Sequence, residues 1–377
     1  MQSKAAVVIP VYKEELNEFE KISLAQARKI LGKYPFVFVA PEGKSFPYFE
    51  PGDAVAHFPQ QFFQSTKTYN LLMMSPQFYA AFKAYDFILI YQPDAFVFYD
   101  ALEFFCGLGY DYIGAPWPMI SKINFEGARI CVGNGGFSLR NVQAHLKLLN
   151  EHADLAKSLV DIPEDVFFSI CGKRTDCDFH VAPINVAYKF SAELHPARAI
   201  RKNGGKLPFG CHAWMKMSAD FYIKIFSQLG YDLRPLRDKM RSMDQIYLQN
   251  FLLFLAIRRL VRRVNHRQPL MHYLPKNHFA SVRIVRSQLA MIIFAHLLIE
   301  NPALADEVHL YDESDQDILI DDLNLKKEPH LLIAFGNVEN FLLSAAKSKG
   351  ISYGRRIVSF EREYFSHCEK IFRNLGK

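Results

Sequence analysis

The sequence predicts an α/β protein: an open, mostly parallel sheet with helices on both faces, followed by a second unit. Three observations carry that expectation. Val7 to Val11 and Phe36 to Ala40 are short, solid runs of β-branched and aromatic residues next to prolines, which is the character of buried parallel strands. Stretches with a helical spacing of apolar residues separate such runs, and this alternation covers both faces of a sheet. A further solid run, Phe87-Ile88-Leu89-Ile90-Tyr91, stops at Gln92-Pro93-Asp94. It delivers one lone carboxylate to the carboxyl end of a strand, where open α/β sheets bind ligands. Pro-Asp is also ordinary turn chemistry, so the run by itself fits a plain turn better.

In chain order, a helix over about 14–31 links the first two strands, and 53–58 reads as a third. Helical spacing over 66–85 then leads into the Asp94 strand. Strands are expected over 109–114 and 136–139, with a helix over about 141–151 behind the second. Pro163 stands where a helix begins, and 164–171 follow as its first turns. A strand near 179–182 and a helical piece to Phe190 complete this part, and the domain boundary falls at 225. The region 226–377 reads as mainly helical, over 244–264 and 282–299, closed by a small strand, helix, strand unit at 329–335, 338–349 and 356–360.

Composition bounds the function. Half of the 377 residues are apolar and 33 are phenylalanine, so core material is plentiful. Met1-Gln2-Ser3-Lys4 and the short strand after it lack the length and flanks of a signal peptide, which predicts a cytoplasmic address. The six cysteines show no Cys-x-x-Cys pair and are expected to be reduced. The apolar stretch 289–299 is too short for a bilayer, which needs about 20 residues.

The net charge of +6 is unevenly placed. Residues 255–290 hold eight Lys or Arg and no acid, and elsewhere 37 basic residues face 39 acidic ones. On a helix, Arg258, Arg259, Arg262 and Arg263 fall on one face, with Ile257, Leu260, Val261 and Val264 turned away. Three readings compete: a solvated face, a surface for anionic lipid or a lipid-linked acceptor, and nucleic acid binding. The absence of interleaved aromatics weighs against nucleic acid as a partner.

Seven motifs stand in order. They are Val7-Val8-Ile9-Pro10-Val11-Tyr12, Tyr69-Asn70-Leu71-Leu72-Met73, the Asp94 strand, Tyr112-Ile113-Gly114-Ala115-Pro116-Trp117, Gly133-Asn134-Gly135-Gly136-Phe137-Ser138-Leu139-Arg140, Glu164-Asp165-Val166-Phe167-Phe168, and Leu207-Pro208-Phe209-Gly210-Cys211-His212-Ala213-Trp214. This ordered set, over about residues 1–220, resembles a bacterial glycosyltransferase family with the GT-A fold, itself an uncharacterised domain family. The resemblance implies a GT-A nucleotide-diphospho-sugar transferase core with a Rossmann-like sheet. It also implies transfer from a nucleotide sugar, a UDP-sugar foremost, to a saccharide or lipid-linked acceptor in surface polysaccharide synthesis, with inversion.

Roles carried over by the resemblance fall on named residues. Pro10, Tyr12 and Glu14 would meet base and ribose, with Lys67, Tyr69 and Asn70 as further nucleotide contacts. Gln92-Pro93-Asp94 stands where GT-A enzymes carry Asp-x-Asp, so Gln92 replaces the first acid and one anionic ligand is left. A hard cation, Mn²⁺ or Mg²⁺, can still be held by one carboxylate, phosphates and water, with His212 as the second protein ligand. Asn134, Gly135, Gly136 and Trp214 would line the sugar and acceptor side. Glu164-Asp165 stands in the place of the acid pair that supplies the general base, with Asp165 as the base itself, because a partly buried carboxylate gains proton affinity.

Each residue has a plainer reading. Glu164 and Asp165 suit a helix N-terminus, the glycines suit a tight turn, and His212 suits a hydrogen bond in the core. Two other functions stay open. A sugar nucleotidyltransferase lacks its Gly-rich loop here, since Pro10-Val11-Tyr12-Lys13-Glu14 stands in that place. A non-catalytic sugar-binding or interaction module of a polysaccharide assembly complex draws support from Gln92.

Overall fold

A computed structural model describes residues 4–117, 123–125, 128–160, 162–193, 196–244, 274, 279–285, 297, 301, 305–311, 330–333 and 357–359. The chain forms two units, Met1–Tyr247 and Leu248–Lys377.

The first unit opens with β1 (Ala5–Pro10), α1 (Glu18–Leu31), β2 (Phe36–Pro41) and β3 (Ala54–Phe58). The Asn17 side chain caps α1 by accepting the Phe19 and Glu20 N–H groups, and the Glu20 side chain returns to the Asn17 N–H. The helical stretch expected over 66–85 is two helices, α2 (Thr66–Met73) and α3 (Pro76–Ala80). Ser75-Pro76 divides them, because proline removes a helix donor while Ser75 caps the second start.

Next come β4 (Phe87–Tyr91), β5 (Ala95–Val97), α4 (Leu102–Cys106), β6 (Tyr112–Ile113) and β7 (Ala115–Pro116). They are followed by β8 (Ile123–Phe125), β9 (Ala128–Ile130), β10 (Val132–Gly133) and β11 (Phe137–Asn141). Helices α5 (Val142–Glu151), α6 (Ala153–Ser158), α7 (Glu164–Cys171) and α8 (Ile184–Phe190) precede β12 (Ser191–Ala192). Last in this unit are α9 (Pro196–Lys202), β13 (Gly210–His212) and α10 (Ala219–Gln228). The strand expected over 179–182 is reduced to one bridge, Val181 to Tyr112.

The main sheet has the order β3-β2-β1-β4-β11-β6. β1, β2, β3 and β4 run parallel, whereas β11 is antiparallel to both β4 and β6. Alternation along β1 divides the core. Ala5, Val7 and Ile9 pack on one face with Phe38, Leu89 and Phe137, and Ala6 and Val8 on the other with Phe78, Ile90 and Phe168. β2 and β4 leave β1 on opposite sides, so a crevice opens between the carboxyl ends of β1 and β4.

Two features of topology furnish that crevice. Because β11 runs against β4, with Phe137 opposite Tyr91, its start and the Gly133–Gly136 loop meet the carboxyl end of β4. A second sheet, β12-β13-β5, is antiparallel at β13 and β5, where His212 lies opposite Ala95, the neighbour of Asp94. β12 runs parallel to β13 with Ala192 opposite Cys211, which carries Glu193 to the same place.

In the second unit, β14 (Phe279–Val285), β15 (Ala305–Tyr311), β16 (His330–Ile333) and β17 (Ile357–Ser359) form a parallel sheet of order β15-β14-β16-β17. This corrects two expectations. The region is not simply helical with one small strand pair, and the helix predicted over 282–299 begins inside β14. Val282, Ile284 and Val285 are β-branched and stiff at χ1, and here that preference prevails over their helical spacing. The helix expected over 244–264 with Arg258, Arg259, Arg262 and Arg263 and the helix over 338–349 lie outside the described residues, Asp244 apart. Among the described residues, no helix is long and apolar enough to cross a membrane, and the five cysteines are free thiols.

Candidate active site

The crevice is a cavity of about 530 Å³ lined by Pro10, Tyr12, Lys13, Tyr69, Gln92, Asp94 and Lys216, among others. It unites predicted residues that stand as far apart in sequence as Pro10 and Asp94. Tyr12 is largely exposed at the wall, presenting a ring that a flat ligand can stack on. Glu14, Lys67 and Asn70 are not among the lining residues. Glu14 is exposed and paired with Lys44.

Asp94 sits at the bend between β4 and β5. Its Oδ1 lies 2.9 Å from His212 Nε2, and its Oδ2 accepts from Lys216 Nζ at 2.7 Å. His212 Nε2 also lies 3.1 Å from Gln92 Oε1, and its Nδ1 lies 3.2 Å from Glu193 Oε1. Burial favours the protonated acid at Asp94, but the His212 and Lys216 charges prevail and hold its carboxyl far below the usual range. Burial likewise disfavours the His212 cation, yet Asp94 and Glu193 push its pKa up to about 10. Glu193, His212, Asp94 and Lys216 thus form an unbroken chain of alternating charge.

A divalent cation on Asp94 and His212 needs a lone pair from each, with the imidazole neutral. Here both ring nitrogens face oxygen acceptors, and the second Asp94 oxygen holds an ammonium. The donor set as arranged does not fit the cation expected from the sequence. Among the described residues, no group of three or more His, Cys, Asp or Glu is placed to hold a metal ion.

Asp165 is reached from Asp94 through the glycine loop. Its Oδ2 accepts from Asn134 N at 2.8 Å, Asn134 Oδ1 accepts from Gly136 N, and Gly136 O accepts from Gln92 N. Asn134 takes φ +68°, a conformation asparagine tolerates. The buried Asn134 Nδ2 has no hydrogen-bond partner among the described residues. Burial and the neighbouring Glu164 charge raise the Asp165 pKa to about 7, although the Asn134 and Val166 N–H groups oppose the rise. A carboxyl so tuned exchanges a proton near neutrality.

Glu164 has a different place. It is buried and bound to the fully buried Arg140, whose Nη2 lies 2.9 Å from its Oε1, while Ser138 Oγ and Tyr79 OH accept from the same guanidinium. This corrects its expected share in proton transfer: the carboxylate is committed to an internal ion pair. Trp214 also departs from expectation. It lies in the core against Phe19, Phe96 and Phe226, with Nε1 donating to Ser23 Oγ, and so cannot face an acceptor. Its role is to anchor the short turn that presents Lys216.

The loop glycines are sterically required. A Cβ on Gly135 would stand 1.7 Å from Glu164 Oε1, and one on Gly136 would stand 2.1 Å from His212 Nε2. Gly136→Ala is therefore expected to push His212 off Asp94 and weaken ligand binding about tenfold or more, since a charge-assisted contact is lost. Titration of ligand into the folded variant measures this, and unchanged affinity would show that the loop yields instead.

Lys13, Glu193 and Lys216 were missed by sequence reasoning. Lys13 was legible as the charged neighbour of Tyr12, but the other two are placed by register in a sheet formed from short, distant strands.

The family model described as "Protein of unknown function (DUF5672)" matches residues 53–212 of the chain. The matched part runs from β3 to β13 and includes Asp94, the glycine loop, Asp165, Glu193 and His212, while Tyr12, Lys13 and Lys216 lie outside it. No curated protein matches the chain.

Proposed function

We propose that the first unit is a glycosyltransferase of GT-A type that uses a nucleotide-sugar donor. The observation that carries this reading is the cavity at the carboxyl ends of β1 and β4, which brings Tyr12, Tyr69, Gln92 and Asp94 together beside the loop that leads to Asp165. The strand order, parallel except for reversed β11 beside β4, supports the same fold assignment.

On this reading the nucleoside stacks near Tyr12 and the diphosphate lies at the Asp94 end. Asp165 takes the proton of an acceptor hydroxyl as its oxygen bonds to the anomeric carbon. The bond from that carbon to the diphosphate oxygen breaks, and its electron pair leaves with the nucleoside diphosphate. One displacement inverts the anomeric centre. The acceptor is a saccharide or lipid-linked saccharide, and the reaction belongs at the cytoplasmic side.

The test is calorimetric binding of a panel of nucleotide sugars to wild type and to Asp94→Ala. One donor is expected to bind wild type, and the variant, deprived of the anchor for Lys216 and His212, should bind it about tenfold or more weakly. Failure of every donor to bind, or indifference to Asp94→Ala, would remove the basis of the reading.

A further inference from the structure

On the glycosyltransferase reading above, the departing diphosphate must meet positive charge. We propose that Lys216 and Lys13 supply that charge directly, so that the donor is bound and its diphosphate neutralised without a divalent cation.

The geometry argues this in three steps. First, the groups a metal would use already meet other partners: the two Asp94 oxygens face His212 and Lys216, one each, and His212 Nε2 faces both Asp94 and Gln92. Second, Gln92 stands where a second acid would have added a ligand, and its amide oxygen is turned to the imidazole. Third, two lysines line the same cavity as Asp94, each held by a carboxylate deeper than itself. Lys216 lies on Asp94 with side-chain exposures of 50% and 18%, and Lys13 lies on Glu20 at 2.6 Å with 42% and 9%. The ammonium groups are thus the outer partners, on the side from which a ligand enters. An ammonium has three donors, so one held by a carboxylate keeps others for phosphate oxygens.

The two holding carboxylates are themselves fixed. Glu20 belongs to the cap of α1, accepting the Asn17 N–H through its second oxygen. Asp94 is set between two sheets, and Lys216 follows the buried Trp214 in a turn whose first residue, Ala213, takes φ +52° and donates its N–H to Asp94 O. The cations are therefore presented by the fold before a ligand arrives, as a preorganised phosphate site requires.

The experiment titrates UDP, GDP, ADP and TDP into the full chain by calorimetry, in EDTA and again in Mn²⁺, with Lys216→Gln, Lys13→Gln and Lys216→Arg beside wild type. Circular dichroism checks the fold of each. One diphosphate is expected to bind with affinity that differs by less than about threefold between the two buffers, to lose about tenfold or more in Lys216→Gln, and to lose less in Lys216→Arg. The matching nucleoside, which lacks phosphate, should bind wild type and Lys216→Gln alike. Binding seen in Mn²⁺ and abolished by EDTA overturns the lysine proposal and leaves the glycosyltransferase reading standing. Diphosphate binding untouched by either glutamine substitution also overturns it. No binding of any diphosphate in either buffer overturns both.

Discussion

Asp165→Asn is expected to lower turnover by about 10²–10⁴-fold, the usual worth of a positioned base, with donor affinity nearly unchanged. The asparagine can still accept the Asn134 N–H, so the loop is kept and proton transfer is what is lost. Wild-type turnover should fall as pH drops through about 7, because burial and Glu164 raise the Asp165 pKa to that value and only the deprotonated form is a base. Stability has the opposite sense. Between the ordinary value of 3.8 and about 7 the folded protein holds a proton that the unfolded chain releases, so this group's favourable contribution is lost as pH rises through that window. Asp165→Asn should therefore be more stable than wild type above pH 7, by on the order of a few kcal/mol. Urea unfolding at pH 5 and pH 8, alongside initial rates, measures both effects. Full turnover in the folded variant would end the base assignment.

Arg140→Met is expected to cost about 3–5 kcal/mol, because it leaves the Glu164 carboxylate buried without its counter-charge. Arg140 is fully buried, and Glu164 Oε2 has no hydrogen-bond partner among the described residues, so the carboxylate has little else to turn to. Combining Arg140→Met with Glu164→Met should recover much of the loss, since the pair is then replaced by apolar volume. A double-mutant cycle on urea midpoints measures the coupling. A loss below about 1 kcal/mol in the single variant would mean that Glu164 takes up a proton or reaches solvent instead.

These two residues also show what the sequence could and could not disclose. The solid runs that became β1, β2 and β4, and Pro163 ahead of α7, were legible because burial on both faces and proline geometry act locally. Asp94 was legible for the same reason, as a lone acid after an apolar strand. The partners of Glu164 were not, because Arg140 looked like the end of an ordinary strand and its burial depends on Tyr79 of α3 and Glu164 of α7 arriving from elsewhere. Trp214 carried no sign of which way it would face, and three aromatic neighbours decided that. β14 was misread because seven residues of mixed spacing satisfy either period. Glu193 and Lys216 depend on pairings of two or three residues, too short for any pattern to announce.

The bend at Gln92-Pro93-Asp94 belongs to two sheets at once, and this has a consequence for how the protein yields under stress. Gln92 N is held by Gly136, Ala95 N by Gln92, and Ala213 N by Asp94, so three amides around the carboxylate are tied. Regions that open on their own have few such ties, and amides held this way exchange with solvent only when the whole cooperative unit comes apart. The candidate site is thus seated in a firmly tied part of the unit. Heat or denaturant should extinguish ligand binding and fold together, with no interval in which a folded body carries a slackened site.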